Sequence, residues 1–392
     1  MLLTSHPRRA LAMTLLTLTA CGHSETFVTG TPPGEEGPLL AGAPTRLTYS
    51  DGVDLVSSFS PDGKSLLFSF QPFKPLPPVV LSRPDVDRCI GIMPASGGTR
   101  NELCRLNTAG LDSTDAFEHA AVGGDGSLLY GAYASTVGAL IVNTGALRLG
   151  TLAAPYPGRV LLATPTVTAG LSFDHFGVIR WASPTTFFVE VHDQTVFGNP
   201  LNEVKSDTFA LGVGILRGDI SGNGAVFTAV AGTDSASGFD LSTAGDSLYF
   251  TRLDDVRLYS VPVAGGTRRV VYTEPNVPAR RIVRDPVRIG GRIALVAQNY
   301  QQRNTIKWPD PPLGLAPGST IKLVGPGDGV VSSLVATTGD YYTLGALAAF
   351  GAMAASPDGC RLIVEHRIVQ KFSFTTDLYS YCLGNNGSCT CS

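Results

Sequence analysis

Hydrophobic positions in this chain fall in short runs punctuated by turn-forming residues, and one arrangement recurs. In "SFSPDGKSLLFSF", Ser58 to Phe70, Pro61 sets φ for the second position of a type I turn, Asp62 suits the third, and Gly63 accepts the positive φ that follows. The run from Ser65 to Phe70 is too short for a helix and too apolar for a loop, so the pattern predicts strand, tight turn, buried strand. The phrase returns as "AASPDGCRLIVEH" from Ala354. Looser copies begin at Ala121, Arg180, Asp240 and Pro286, which makes six. "DISGNGAVFTAV" from Asp219 stands too close to the Asp240 copy to be a separate unit and reads as an outer hairpin or an insertion.

A second phrase repeats independently. "PASGGTR" from Pro94 and "PVAGGTR" from Pro262 each lie between two strand-like stretches. One unit therefore holds an inner hairpin closed by an Asp-Gly type turn and an outer hairpin closed by Gly-Gly. Four strands per unit at a period of roughly 40 to 65 residues is the signature of a β-propeller blade. A β-sandwich is the alternative for turn-bounded apolar strands, but it has no need to repeat a phrase in register. The last copy runs out after three strands, near Leu383, and "TRLTYSD", Thr45 to Asp51, precedes the first complete unit. That segment is expected to supply the missing strand and close the ring, which removes an open sheet edge.

These phrases resemble the SPDG repeat of TolB-type and related WD-repeat-like propellers, over roughly residues 45 to 383, and most weakly between Thr151 and Gly218. The resemblance implies an all-β, six-bladed β-propeller of four-stranded antiparallel blades. It names no ligand, because such propellers serve as protein-binding platforms, sugar-processing enzymes and peptidase gates.

Composition agrees with a chain made mostly of buried strands: 43% of residues are hydrophobic and 16% charged, with 45 Gly and 27 Pro for the turns. A net charge of −3 leaves no basic footprint for nucleic acid. The first residues change the picture more. Arg8 and Arg9 precede a short apolar stretch, and Leu18-Thr19-Ala20-Cys21 resembles the bacterial lipobox. That resemblance implies a signal peptide over residues 1–20, a lipidated Cys21 and, with Gly22 next, the outer membrane, where the periplasmic face is expected. Residues 21–44 show no periodicity and read as a tether with a reach of roughly 25 to 30 Å. The nearest approach to a membrane-crossing stretch, Thr343 to Ser356, reads instead as a packed strand or short helix, so membrane contact is expected through lipid alone.

Six cysteines remain besides Cys21, an even number that favours disulfides in an exported chain. If "PASGGT" is a hairpin loop with Met93 facing Arg100, Cys89 lies opposite Cys104 and the two can bond; a turn of Gly97-Gly98 alone makes them strained diagonal neighbours. Cys360 and Cys382 face each other if residues 369–373 form the last loop. That leaves Cys389 and Cys391, in the polar tail 384–392, to each other, and a different pairing among these four stays open.

Gly245-Asp246-Ser247-Leu248 matches an esterase string but overlaps a blade turn, so Ser247 reads as coincidence. No nucleophile elbow, phosphate loop or zincin motif occurs. His119 and His175 each follow an acid, Glu118 or Asp174, at the expected entrance of an innermost strand, so two blades could bring two imidazoles and two carboxylates to one channel mouth. Surface histidines beside solvated acids are the alternative. On balance no catalytic residue, metal site or cofactor is assigned. The expected role is a non-catalytic envelope module that binds or scaffolds a protein or a cell-wall sugar component, the alternative being a lyase-like carbohydrate-active enzyme at the channel mouth.

Overall fold

A computed structural model of the chain describes residues 27–28, 44–49, 53–70, 89–103, 113–136, 142–193, 211–253, 255–275, 281–299, 319–337, 346–370, 373–383 and 389. The expected signal stretch, Cys21 and Cys104 lie outside these residues, as do the expected tether apart from 27–28 and Pro44 and the expected tail apart from Cys389. The described residues contain strands and turns and no helix, hence no helix long and apolar enough to cross a membrane.

Apart from a small hairpin, Thr166–Thr168 paired with Leu171–Phe173, the described strands form six consecutive antiparallel meanders. The first blade is built from Asp54–Phe59, Ser65–Phe70, Cys89–Pro94 and Asn101–Glu102. Blades two to four begin at Ser113, His175 and Ala236, blade five at Arg281 and blade six at Ala346. Each of the six sequence copies falls on the first hairpin of a blade, and the Asp219 phrase is the outer hairpin of the third, with Ser221 opposite Gly224. The first strand of every blade packs against the first strand of the next all the way round, so these strands make the inner wall.

Six hydrophobic clusters lie between blades rather than between two layers. Leu67 and Ile90 meet Val122 and Leu128 at the interface of blades one and two. Leu129 and Leu147 meet Phe187 and Val189 between two and three, and corresponding clusters follow at every later interface. The last joins Phe59 and Phe68 of the first blade to Ile363 and Leu378 of the sixth. Each fully buried side chain of this size contributes roughly 1.5–3 kcal/mol. A core divided among six interfaces that return to the start is a propeller, which excludes the sandwich.

Local chemistry explains the repeated turn. The Gly63 N–H donates to the Ser60 carbonyl at 2.8 Å with φ +71° at Gly63, while Asp62 Oδ1 accepts the Ser60 hydroxyl and the Lys64 N–H. Ser356, Asp358 and Gly359 repeat these bonds in the sixth blade, with φ +73° at the glycine. Hydrogen bonds from Ser60 and the Lys64 N–H hold the Asp62 carboxyl below its usual range.

Closure is as expected. Thr45–Arg46 pairs with the last strand, Ser373–Cys382, at Thr45↔Ser380 and Arg46↔Tyr379, and becomes the fourth strand of the sixth blade. Within the expected tether, Phe27–Val28 adds a fifth strand to the outer edge of the fifth blade.

The expected Cys360–Cys382 bond does not form, because Cys360 is bonded to Cys389. Gln370 pairs with Ser373, leaving two residues between the strands where a five-residue loop was expected. The register therefore sets Arg361 opposite Cys382 and brings the Leu383 N–H to the Cys360 carbonyl. A shift of one residue turns a side chain to the other face of a sheet, so Cys360 and Cys382 point apart. Cys382 is nonetheless disulfide-bonded, as is Cys89. Ile92↔Asn101 and Gly91↔Glu102 have the register in which Cys89 was expected to meet Cys104.

Candidate functional site

On the inner wall, the second and third blades bring an acid and two histidines together. Glu118 and His119 lie within the inner strand Ser113–Val122, and His175 opens the neighbouring inner strand, His175–Trp181. His119 is thus deeper in its strand than the entrance position expected. The pairing of the second blade shifts between Glu118 and Ala121, so His119 sits in a bulge, with φ +54°. Such a conformation is uncommon for a residue other than glycine, though His adopts it more readily than most. The bulge re-aims its side chain toward the third blade.

Three ligand-type atoms converge as a result. Glu118 Oε2 lies 3.4 Å from His175 Nε2 and 3.7 Å from His119 Nε2, and one ligand atom from each residue falls within 4.8 Å of both others. Asp174, also expected here, is not one of the three: its N–H donates to the His192 carbonyl, and its charge acts on Tyr133.

The sequence did not single out the groups that support this cluster. The Tyr133 ring stacks on His175 with centroids 4.0 Å apart, and its hydroxyl accepts the Phe176 N–H at 2.7 Å, which fixes the plane of the imidazole. His192 stands opposite His175 across the strand pair, with its Nε2 3.2 Å from Glu190 Oε1. Glu190 accepts the Val178 N–H of its own blade and the Gly238 N–H of the fourth. It is a staple between blades. Gly177 is required beside it, because a Cβ there would lie 2.3 Å from His192 Nε2 and 2.6 Å from Glu190 Oε2.

Burial dominates the electrostatics. Desolvation pulls the His119 imidazole down to about 4, against the neighbouring Glu118 charge, although 32% of the side chain stays open to solvent. Desolvation, reinforced by Glu118, pushes the Tyr133 phenol well above its usual value. Burial alone would raise the Glu190 carboxyl, but His192 and the two backbone N–H donors outweigh it and hold it low. At neutral pH the His119 imidazole is therefore uncharged, with a lone pair available beside Glu118, a donor set able to bind a cation.

Farther along the third blade's inner strand, Arg180 crosses the ring. Its Nε bonds Asp240 of the fourth blade at 3.1 Å and its Nη1 reaches the Ser57 carbonyl of the first at 3.5 Å. Asp240 in turn accepts the Arg288 N–H of the fifth blade. Five residues of strand, roughly 16 Å, separate Arg180 from His175. The channel thus has a polar cross-brace at one level and the histidine cluster at another.

Ser247 begins the second strand of the fourth blade, two positions after the turn glycine Gly245 with φ +70°, so the esterase string is blade structure.

No family model and no curated protein matches the chain. Among solved structures, a protein of unknown function from Dyadobacter fermentans is 11% identical, with 91% of this chain and 100% of that one covered at a TM-score of 0.52. A gluconolactonase from Xanthomonas campestris is 14% identical, covering 91% and 99% at 0.48. TolB from Acinetobacter baumannii is also 14% identical, covering 75% and 59% at 0.41. At such identities the likeness is one of fold.

Proposed function

We propose that this protein is a non-catalytic binding module of the bacterial cell envelope, held at the outer membrane by lipid on Cys21, whose propeller channel seats a segment of a protein or of a cell-wall sugar. One observation carries the reading. A rigid ring braced across its channel by Arg180 and Asp240 presents polar groups, Glu118, His119 and His175, on one stretch of its inner wall. Rigid walls with a few convergent polar groups are what ligand seats generally have. The test is affinity capture from cell envelopes with the detergent-solubilised full chain, followed by protein mass spectrometry and glycan analysis. A partner retained by the native chain and lost in the His119→Asn, His175→Gln double variant supports the reading. Equal capture by both overturns it.

A second reading has its own support. The approach of Glu118 Oε2 to both imidazoles would suit acid–base chemistry on a sugar chain, as in a lyase-like carbohydrate-active enzyme. Recovery of a shortened glycan, dependent on Glu118, would favour the enzyme over the binding module.

A further inference from the structure

We propose that Glu118, His119 and His175 bind a divalent transition-metal ion of the zinc class on the channel wall between the second and third blades, with one coordination position left for a ligand. This deepens the reading of the channel as a ligand seat and rests on it.

The donor set comes first. Two imidazoles and one carboxylate suit zinc and its neighbours, whereas calcium takes six to eight oxygens and magnesium prefers oxygens and water. Distance comes second. Ligand atoms held roughly 2.0–2.1 Å from a tetrahedral ion lie about 3.4 Å from one another. The carboxylate oxygen here stands 3.4 Å from one Nε2 and 3.7 Å from the other, so these two edges already match a tetrahedral ion to within a few tenths of an ångström, and the imidazole pair, within 4.8 Å, closes the third.

Preparation of the ligands comes third. The His119 backbone is held at φ +54° by the bulge, an uncommon conformation whose effect is to bring Nε2 toward the neighbouring blade. Tyr133 stacks on His175 and is itself fixed by the Phe176 N–H, an orienting contact of the kind that surrounds metal-binding imidazoles. Glu190 is not one of the three converging ligands, and its two oxygens accept the Val178 and Gly238 N–H groups. Three protein ligands are the number that leaves zinc an open fourth position. His119, the most exposed of the three, marks the side from which a ligand oxygen would arrive.

The experiment is a Co²⁺ titration of the chelator-treated full chain in detergent. The expected result is one equivalent bound with the intense visible bands of tetrahedral cobalt, no thiolate charge-transfer band, and displacement by Zn²⁺. Glu118→Gln and His119→Asn, the latter chosen because Asn tolerates left-handed backbone, should each weaken Co²⁺ binding tenfold or more. Absence of a tetrahedral spectrum from the native chain at saturating Co²⁺ overturns the proposal without reference to any variant. So does a site whose affinity stays within twofold in both variants. Envelope capture repeated with chelator separates the two readings: capture that persists in a chain that binds no metal removes the ion and leaves the binding module, whereas a bound ion with no captured partner does the reverse.

Discussion

The Glu365 carboxylate of the sixth blade accepts the Val56 N–H of the first at 2.9 Å, across 309 positions of sequence. Its other oxygen accepts the Ala352 N–H at 3.0 Å, in the bulge of its own blade's inner strand, and the residue is 1% exposed. Glu190 does the same for the third and fourth blades through Val178 and Gly238. Each carboxylate satisfies N–H groups where a bulge interrupts the strand ladder, and each ties a blade to its successor. Glu365→Ala leaves two buried donors without this acceptor and should lower stability by roughly 2–5 kcal/mol. Glu365→Gln retains one oxygen and should lose about half as much. Chemical denaturation measures both, and a loss below about 0.5 kcal/mol in the alanine variant would show that the staple contributes little.

The Cys360–Cys389 bond spans 29 positions. By the loop-entropy relation a closure of that length constrains the unfolded chain by about 3–4 kcal/mol. Cys389→Ser should cost a comparable amount in denaturant unfolding under non-reducing conditions. Peptide mapping without reduction should recover Cys360 linked to Cys389. A Cys360–Cys382 peptide would instead mean that the last hairpin is one residue out of the register described here.

What could be read in advance follows from how local each feature is. The Ser-Pro-Asp-Gly turns at 60–63 and 356–359 were legible because their φ requirements belong to single residues, and together with four looser copies in register they count the blades. Closure was legible because the last unit lacks a strand and Thr45 supplies one. The last hairpin was not, since the two residues between Gln370 and Ser373 are Lys371 and Phe372, which carry no turn signal. At the site, His119 and His175 stood out by their acidic neighbours. The bulge at His119 did not, because no glycine marks it. Glu190 and His192 could have been found: two polar residues at alternate positions in the apolar run "FFVEVHD" share one strand face, which is a burial that needs partners.

The closing strand invites a direct test. The Leu47 N–H donates to the Leu378 carbonyl at 2.7 Å, Thr48 Oγ1 accepts the Leu378 N–H at 2.9 Å, and Arg46 pairs with Asp377 at 2.5 Å. Proline at position 47 removes the first donor and constrains the backbone beside the other two contacts. Leu47→Pro should destabilise the protein by roughly 2–4 kcal/mol. Hydrogen exchange should accelerate at Leu378 and along Ser373–Cys382 before it does in the third and fourth blades. Unchanged exchange at Leu378 would mean that the sixth blade holds without its borrowed strand.

Acid should weaken the fold through its buried histidines. His366 is 3% exposed, stacks on Tyr379 at 3.9 Å and shares a 2.8 Å hydrogen bond with the Tyr381 hydroxyl. Desolvation, with the Arg46 charge second, holds its imidazole well below 6.5. The unfolded chain takes up a proton near 6.5 while the native chain does not, so the unfolded state binds more protons and stability rises with pH in this window. The contribution is complete above about pH 6.5 and declines below it, by roughly 1.4 kcal/mol per pH unit for one such histidine. His119, held to about 4, adds a slope of the same sign between about 6.5 and 4. His366→Gln also removes packing and a hydrogen bond, so the readout is the slope: denaturation free energies between pH 6.5 and 4.5 should depend less steeply on pH than in the native chain, by one histidine's share. An identical slope in the variant would mean that His366 protonates in the folded protein as readily as in the unfolded one.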